Sequence, residues 1–195
     1  NSALKVAGQV QLNGVPLSLD WHENFISEEG FRSRYILSGA LDVDGLERLG
    51  VPKRPFIGGV SETNFILTRF GDGRSEVLVS GDLSQAVIAI PHVGWLKPAG
   101  RPGNFRMGVR VAADGAYQVD NLTVTAGDLE IVGKAGFGGA PGQKWQADFA
   151  KFRIGKTDVT GSVIQLSEGQ FLVRVHRGTL DLEPLLHGGS LEARE

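Results

Sequence analysis

The 195-residue chain contains no cysteine, which removes disulfide frameworks, thiolate nucleophiles and cysteine-ligated metal sites together. Long apolar runs are missing too. The greasiest stretch, AVIAIPHVGWL at 86–96, is too short to span a bilayer and is broken by Pro91 and Gly94. Neither sign of charge is in excess. Lys plus Arg number 20 against 22 for Asp plus Glu, a net charge of −2 spread evenly along the chain. That balance leaves no basic footprint, so nucleic acid is not an expected partner and an anionic membrane surface would find little to attract it.

The usual sequence signatures of catalysis are scarce. His22, His92 and His176 have no second ligand three or four residues away and His187 has only Glu183, so no helical metal site is expected. GFGGAPG at 136–142 is followed by the strand-like QKWQADFAKF, not by the helix that a phosphate cradle requires. Asp42, Asp44 and Glu47 lack the ligand periodicity of a calcium loop. There is no Gly-x-Ser-x-Gly elbow. No catalytic residue, metal or cofactor is assigned, and the chain is expected not to be an enzyme. The N-terminal NSALKVAGQVQL has no signal-peptide core and opens directly into alternation. Both ends of the chain lack punctuation, so residues 1–195 read as a single β-rich segment of a longer chain.

What is present is strand periodicity. Val15, Leu17, Leu19 and Trp21 alternate with Pro16, Ser18 and Asp20; Phe105, Met107, Val109 and Val111 alternate with Arg106, Gly108 and Arg110; Leu129, Ile131, Ala135 and Phe137 oppose Glu130 and Lys134. Such alternation means a sheet dry on one face and wet on the other. Asn13-Gly14, Gly71-Asp72-Gly73, Asp114-Gly115, Gly127-Asp128, GGAPG at 138–142 and Glu168-Gly169 supply hairpin turns between the runs. The expected fold is all-β and mainly antiparallel, a long meander of about ten to thirteen strands with one or two short helices.

Those helices are expected where one phrase is written twice. GALDVDGL at 39–46 and GTLDLEPL at 178–185 share Gly-x-Leu-Asp-apolar-acidic-x-Leu. In each, an extended Gly-x-Leu would lead into a turn or two of helix capped by Asp42 or Asp181, with Pro184 tolerated in the first turn of the second. The phrases are read as joints of a repeating unit near 39–50 and 178–188. A one-sided sheet of this length has a dry face that short helices cannot cover. It must close as a barrel or sandwich, or curl into a trough. Alternation alone leaves both open.

LNGVPLSLDWHENF, RYILSGALDVDGLERLGV, IPHVGWLKPAGRPGNFRMGV, ADFAKFRIGKTDVTGSV and VHRGTLDLEPLL together resemble the AsmA-like superfamily of bacterial envelope proteins, nearest its YhdP-type branch and more distantly TamB. The resemblance covers nearly the whole chain. It implies a strongly curved sheet folded into an apolar trough, in a periplasmic protein anchored in the inner membrane. The implied role is non-enzymatic carriage of phospholipid between the two membranes and maintenance of the envelope. Its partners would be phospholipid acyl chains and adjacent segments of the same parent chain. The candidate lining is then Val15, Leu17, Leu19, Phe105, Met107, Val109, Val111, Leu129, Ile131 and Phe137. The alternative is a self-contained β-sandwich binding a carbohydrate or protein, with Trp95, expected in an exposed loop, as its anchor.

Overall fold

The computed structural model describes residues 3–25, 30–49, 57–90, 94–112, 116–137, 145–167 and 170–183. It is an all-β protein. The strands are β1 (Ala3–Leu12), β2 (Val15–Asn24), β3 (Ser33–Asp42), β4 (Ile57–Arg69), β5 (Ser75–Asp82), β6 (Ala86–Ile90), β7 (Trp95–Lys97), β8 (Gly103–Val111), β9 (Tyr117–Ala126), β10 (Leu129–Phe137), β11 (Gln146–Ile154), β12 (Thr157–Ser167) and β13 (Gln170–Thr179). One helix, α1 (Val43–Arg48), falls wholly within the described residues.

The strands form one open, curved antiparallel meander in the order β1-β2-β3-β4-β5-β8-β9-β10-β11-β12-β13. Only β6 and β7 leave this path. They pair with each other, and β6 pairs with the first three residues of β4, Ile57–Gly59, making a two-stranded flap. A sandwich is therefore not what forms: among the described residues no second full sheet faces the first.

The turns follow from residues that tolerate positive φ. Asn13 (φ 50) and Gly14 (φ 78) join β1 to β2, Gly73 (φ 86) closes the β4–β5 turn, and Gly127 (φ 65) joins β9 to β10. Gly155 (φ 55) makes the β11–β12 turn, which the sequence reading had not marked. The expected turns at 114–115, 138–142 and 168–169 lie outside the described residues.

Register is regular from β1 through the β5–β8 pair and irregular beyond it. Shifts occur between Arg106 and Gly108, between Gly133 and Ala135, between Phe149 and Phe152, and between Thr160 and Gly161. Asn121, at φ 52, sits opposite the first of these. Each bulge adds local twist and bends the strand that carries it.

The first repeated phrase behaves as expected. The Asp42 side chain caps α1, its Oδ1 accepting from the Gly45 N–H at 2.7 Å. Leu46 and Leu49 then pack on the buried Val15, Leu17 and Leu41. The sheet runs on through this joint, because β4 returns to pair with β3 along its length. In the second phrase Asp181 Oδ1 accepts from the Glu183 N–H at 3.0 Å, and Glu183 is already helical. Leu185 and the remainder of that joint, through residue 188, lie outside the described residues. The phrase's glycine is closely approached in both copies, and Gly178 alone also has a positive φ, 121°. A side chain on Gly39 would meet Leu17 Cδ2 and the Pro16 carbonyl, and one on Gly178 would run into the Asp158 carbonyl.

Candidate functional site

The paired registers carry one face across the whole sheet. Val15, Leu17, Leu19 and Trp21 stand opposite Leu12, Val10, Gly8 and Val6 of β1; Leu19 and Trp21 also face Leu37 and Tyr35 of β3. Tyr35 and Leu37 face Leu67 and Phe65, which face Val77 and Val79, which face Val109 and Met107. Phe105 pairs with Val124, and Val124 with Ile131; Leu129 pairs with Ala126, and Phe137 with Tyr117. All the residues of the candidate lining thus stand on the same side of one sheet. The other side is mainly polar, interrupted by a ladder of Ile36, Ile66 and Leu78 paired across three strands.

Burial divides this apolar face into a closed end and an open end. Val15, Leu17 and Leu129 are buried, whereas Leu19, Phe105, Met107, Val109, Val111 and Ile131 are only half-buried. Phe137 has its place on the face from register alone.

The closed end is where β3 gives way to α1 and β5 to the flap. Helix α1 covers one cluster there. The flap covers a second: Ile88, Ile90 and Trp95 pack on Ala126, Leu129 and Ile154. Small residues make room between them. Gly81 lies under the Phe105 ring, which a β-carbon would strike, and Gly103 leaves space for the Lys97 stem.

Two side chains fasten the flap. The Trp95 indole N–H donates to Asp128 Oδ1 at 2.7 Å, and Asp128 Oδ2 accepts from the Gly155 N–H at 3.2 Å. The Trp95 bond is the main reason the Asp128 carboxyl is held below the usual aspartate range, against the opposing effect of burial. Lys97 is 1% exposed, and its Nζ donates to the carbonyls of Leu83 at 2.6 Å, Ala86 at 2.9 Å and Pro98 at 3.3 Å. Burial pushes this ammonium below the ordinary lysine range, while the Asp82 carboxylate pulls it back up. Three carbonyl acceptors match the three donors of an ammonium group, which is what lets a lysine occupy this interior.

These contacts correct the sequence reading of Trp95. It belongs to β7, not to an exposed loop, and it is half-buried with its N–H engaged. Trp21 and Trp145 are half-buried as well. His92 and His187 lie outside the described residues. His22 meets Phe31 edge-on at 5.4 Å, and His176 is exposed. Among the described residues no group of three or more His, Asp or Glu side chains is placed to hold a metal ion. No helix there is long and apolar enough to cross a membrane.

At the open end the face turns polar and aromatic. Trp21 stacks on Tyr35 with ring centroids 5.6 Å apart and planes 14° from parallel. Glu23 Oε2 accepts from the Trp21 indole N–H at 3.1 Å, and Arg32 Nε lies 3.8 Å from Glu23 Oε1. A hydrogen bond from Ser33 is the largest of the influences that hold the Glu23 carboxyl below its ordinary range. With Arg69, Phe70 and Arg74 these residues line a hollow of about 690 Å³. Sequence reasoning missed it because its walls come from β1 to β5 and two connections between them. A smaller hollow of about 400 Å³ opens on the polar face, where Arg110 pairs with Asp120 at 2.6 Å.

No family model matches the chain, and no curated protein or solved structure matches it either.

Proposed function

We propose that this chain is a non-enzymatic lipid-handling segment whose apolar face holds phospholipid acyl chains. The observation that carries the reading is the continuity of that face. It runs from Leu4 and Val6 on β1 to Val173 and Val175 on β13, and much of it is half-buried or exposed: Val6 is 39% exposed and Val173 64%. A monomeric protein rarely leaves so long an apolar surface uncovered unless something apolar lies on it. Acyl chains suit a surface of aliphatic and aromatic side chains with few hydrogen-bonding groups. The closure of one end by α1 and the flap gives such chains a floor.

The wider reading rests on the resemblance of the sequence to AsmA-like envelope proteins. In it the segment belongs to a longer periplasmic chain, anchored in the inner membrane, that passes phospholipid to the outer membrane. The carbohydrate-module alternative is weakened, since its anchor Trp95 lies in the flap, half-buried, with its indole N–H donated to Asp128. Native mass spectrometry of the purified protein tests the lipid reading. Phospholipid bound at defined stoichiometry, and released by Val109→Asp, is expected. A lipid-free protein that also fails to take up short-chain phospholipid would overturn it.

A further inference from the structure

The hollow at the open end has a chemistry of its own. Three guanidinium groups, Arg32, Arg69 and Arg74, line it against one carboxylate, Glu23. Glu23 is engaged by Trp21, Ser33 and Arg32 and fixes the wall in place, and its charge also acts at longer range on Arg69. Arg74 is braced by Asp72 at 2.7 Å and lies over the Phe70 ring at 5.2 Å. Arg69 differs. Its guanidinium sits 5.9 Å from the Tyr35 ring centroid, and among the described residues no carboxylate lies within 4.0 Å of it. A positively charged, aromatic-walled hollow therefore stands directly above the apolar face, at the end left uncovered by α1 and the flap.

We propose that this hollow binds the phosphate of a phospholipid headgroup, with Arg69 as the principal contact, while the acyl chains run from it past Leu67 and Val77 and then Phe65 and Val79 toward the closed end. The inference rests on the lipid reading above and adds a polarity to it. Headgroups collect at the Arg69 end and chain ends at the Lys97 end. Guanidinium suits the task because its planar fork offers parallel donors to a phosphate oxyanion, and a ring beneath the fork stabilises its charge without competing for those donors.

The test compares three probes by isothermal titration calorimetry: dihexanoyl phosphatidylglycerol, the uncharged dihexanoylglycerol with the same chains, and inorganic phosphate. The phospholipid is expected to bind about tenfold more tightly than the neutral lipid, the factor carried by one charged hydrogen bond in a half-exposed site. Arg69→Gln should erase that preference and leave dihexanoylglycerol binding unchanged. Arg69→Lys should restore part of it. Because Arg69 is exposed, the variants are expected to keep the parent circular dichroism spectrum. Equal affinities for the two lipids, indifferent to Arg69→Gln, would overturn the headgroup assignment and leave the acyl-chain reading standing. Inorganic phosphate binding as tightly as the phospholipid would also overturn it, in favour of a free-anion site. Binding of neither lipid would remove the acyl-chain reading and this inference together.

Discussion

The Trp95 indole N–H and the Asp128 carboxylate meet at 2.7 Å although 33 residues of chain separate them. This bond fastens the outer strand of the flap to the β9–β10 turn, and Gly155 brings the β11–β12 turn to the same carboxylate. One aspartate thereby joins the flap to two turns at the closed end of the apolar face.

The bond makes stability depend on pH in a defined direction. The Asp128 carboxyl titrates below its ordinary value of 3.8 in the folded protein, chiefly because Trp95 donates to its ionised form. A carboxyl lowered by folding adds stability above the unfolded value, and that stability is lost as pH falls through the folded one. Wild type should therefore exceed Asp128→Asn in melting temperature at pH 7, and the gap should close below pH 3.8. Trp95→Phe should narrow the same gap. A gap of constant size down to pH 2 would show that the carboxylate charge is not what holds the flap.

Lys97→Met tests the second fastening. The thioether retains the stem packing but leaves the Ala86 and Pro98 carbonyls without their donor, whereas Leu83 keeps the Ala86 N–H. The expected loss is about 2 kcal/mol, typical of a buried acceptor left unsatisfied, here the Ala86 carbonyl. Hydrogen exchange should accelerate across residues 83–100 and stay slow in β2 and β3. A variant as stable as the parent would mean that the carbonyl cage contributes nothing.

Asp42→Ala should cost on the order of 1 kcal/mol, the usual effect of removing an N-cap. The Val15, Leu17 and Leu41 cluster would loosen with it, since α1 is its cover. Urea denaturation measures the loss, and an unchanged midpoint would remove α1 from the account of how this end is closed.

Charged substitutions should separate covered from uncovered positions on one face. Leu129 is 3% exposed beneath the flap, so Leu129→Asp buries an unpaired carboxylate and should cost on the order of 4 kcal/mol. Val109 is half-buried on the uncovered stretch, and Val109→Asp can keep its charge in water. Its melting temperature should fall far less while bound lipid is lost. Equal destabilisation at both positions would mean that the whole face is core.

The alternation of Val15 to Trp21, of Phe105 to Val111 and of Leu129 to Phe137 made the two-sided sheet legible, because a period of two is written directly into each strand. Asp42 was legible as a cap for the same local reason. The flap was not. IPHVGWLKPAG reads as a loop, and the strand that Trp95 to Lys97 form in the flap depends on Asp128, Leu83 and Ala86, partners that no local pattern marks. The bulges between Arg106 and Gly108 and between Phe149 and Phe152 leave no compositional trace either. Arg69 gave no signal alone, and gains a meaning only when the β3–β4 and β4–β5 registers set it between Ser33 and Ser75, within reach of the Tyr35 ring.

Along the main path every strand but one pairs with its predecessor in the chain, the exception being β8, which reaches past the flap to β5. Contacts of such short sequence separation cost little loop-closure entropy and form early. This chain can therefore build its sheet in the order in which it emerges from a ribosome. Each arriving strand finds its partner already laid down, and outside the flap the growing edge is the newest strand.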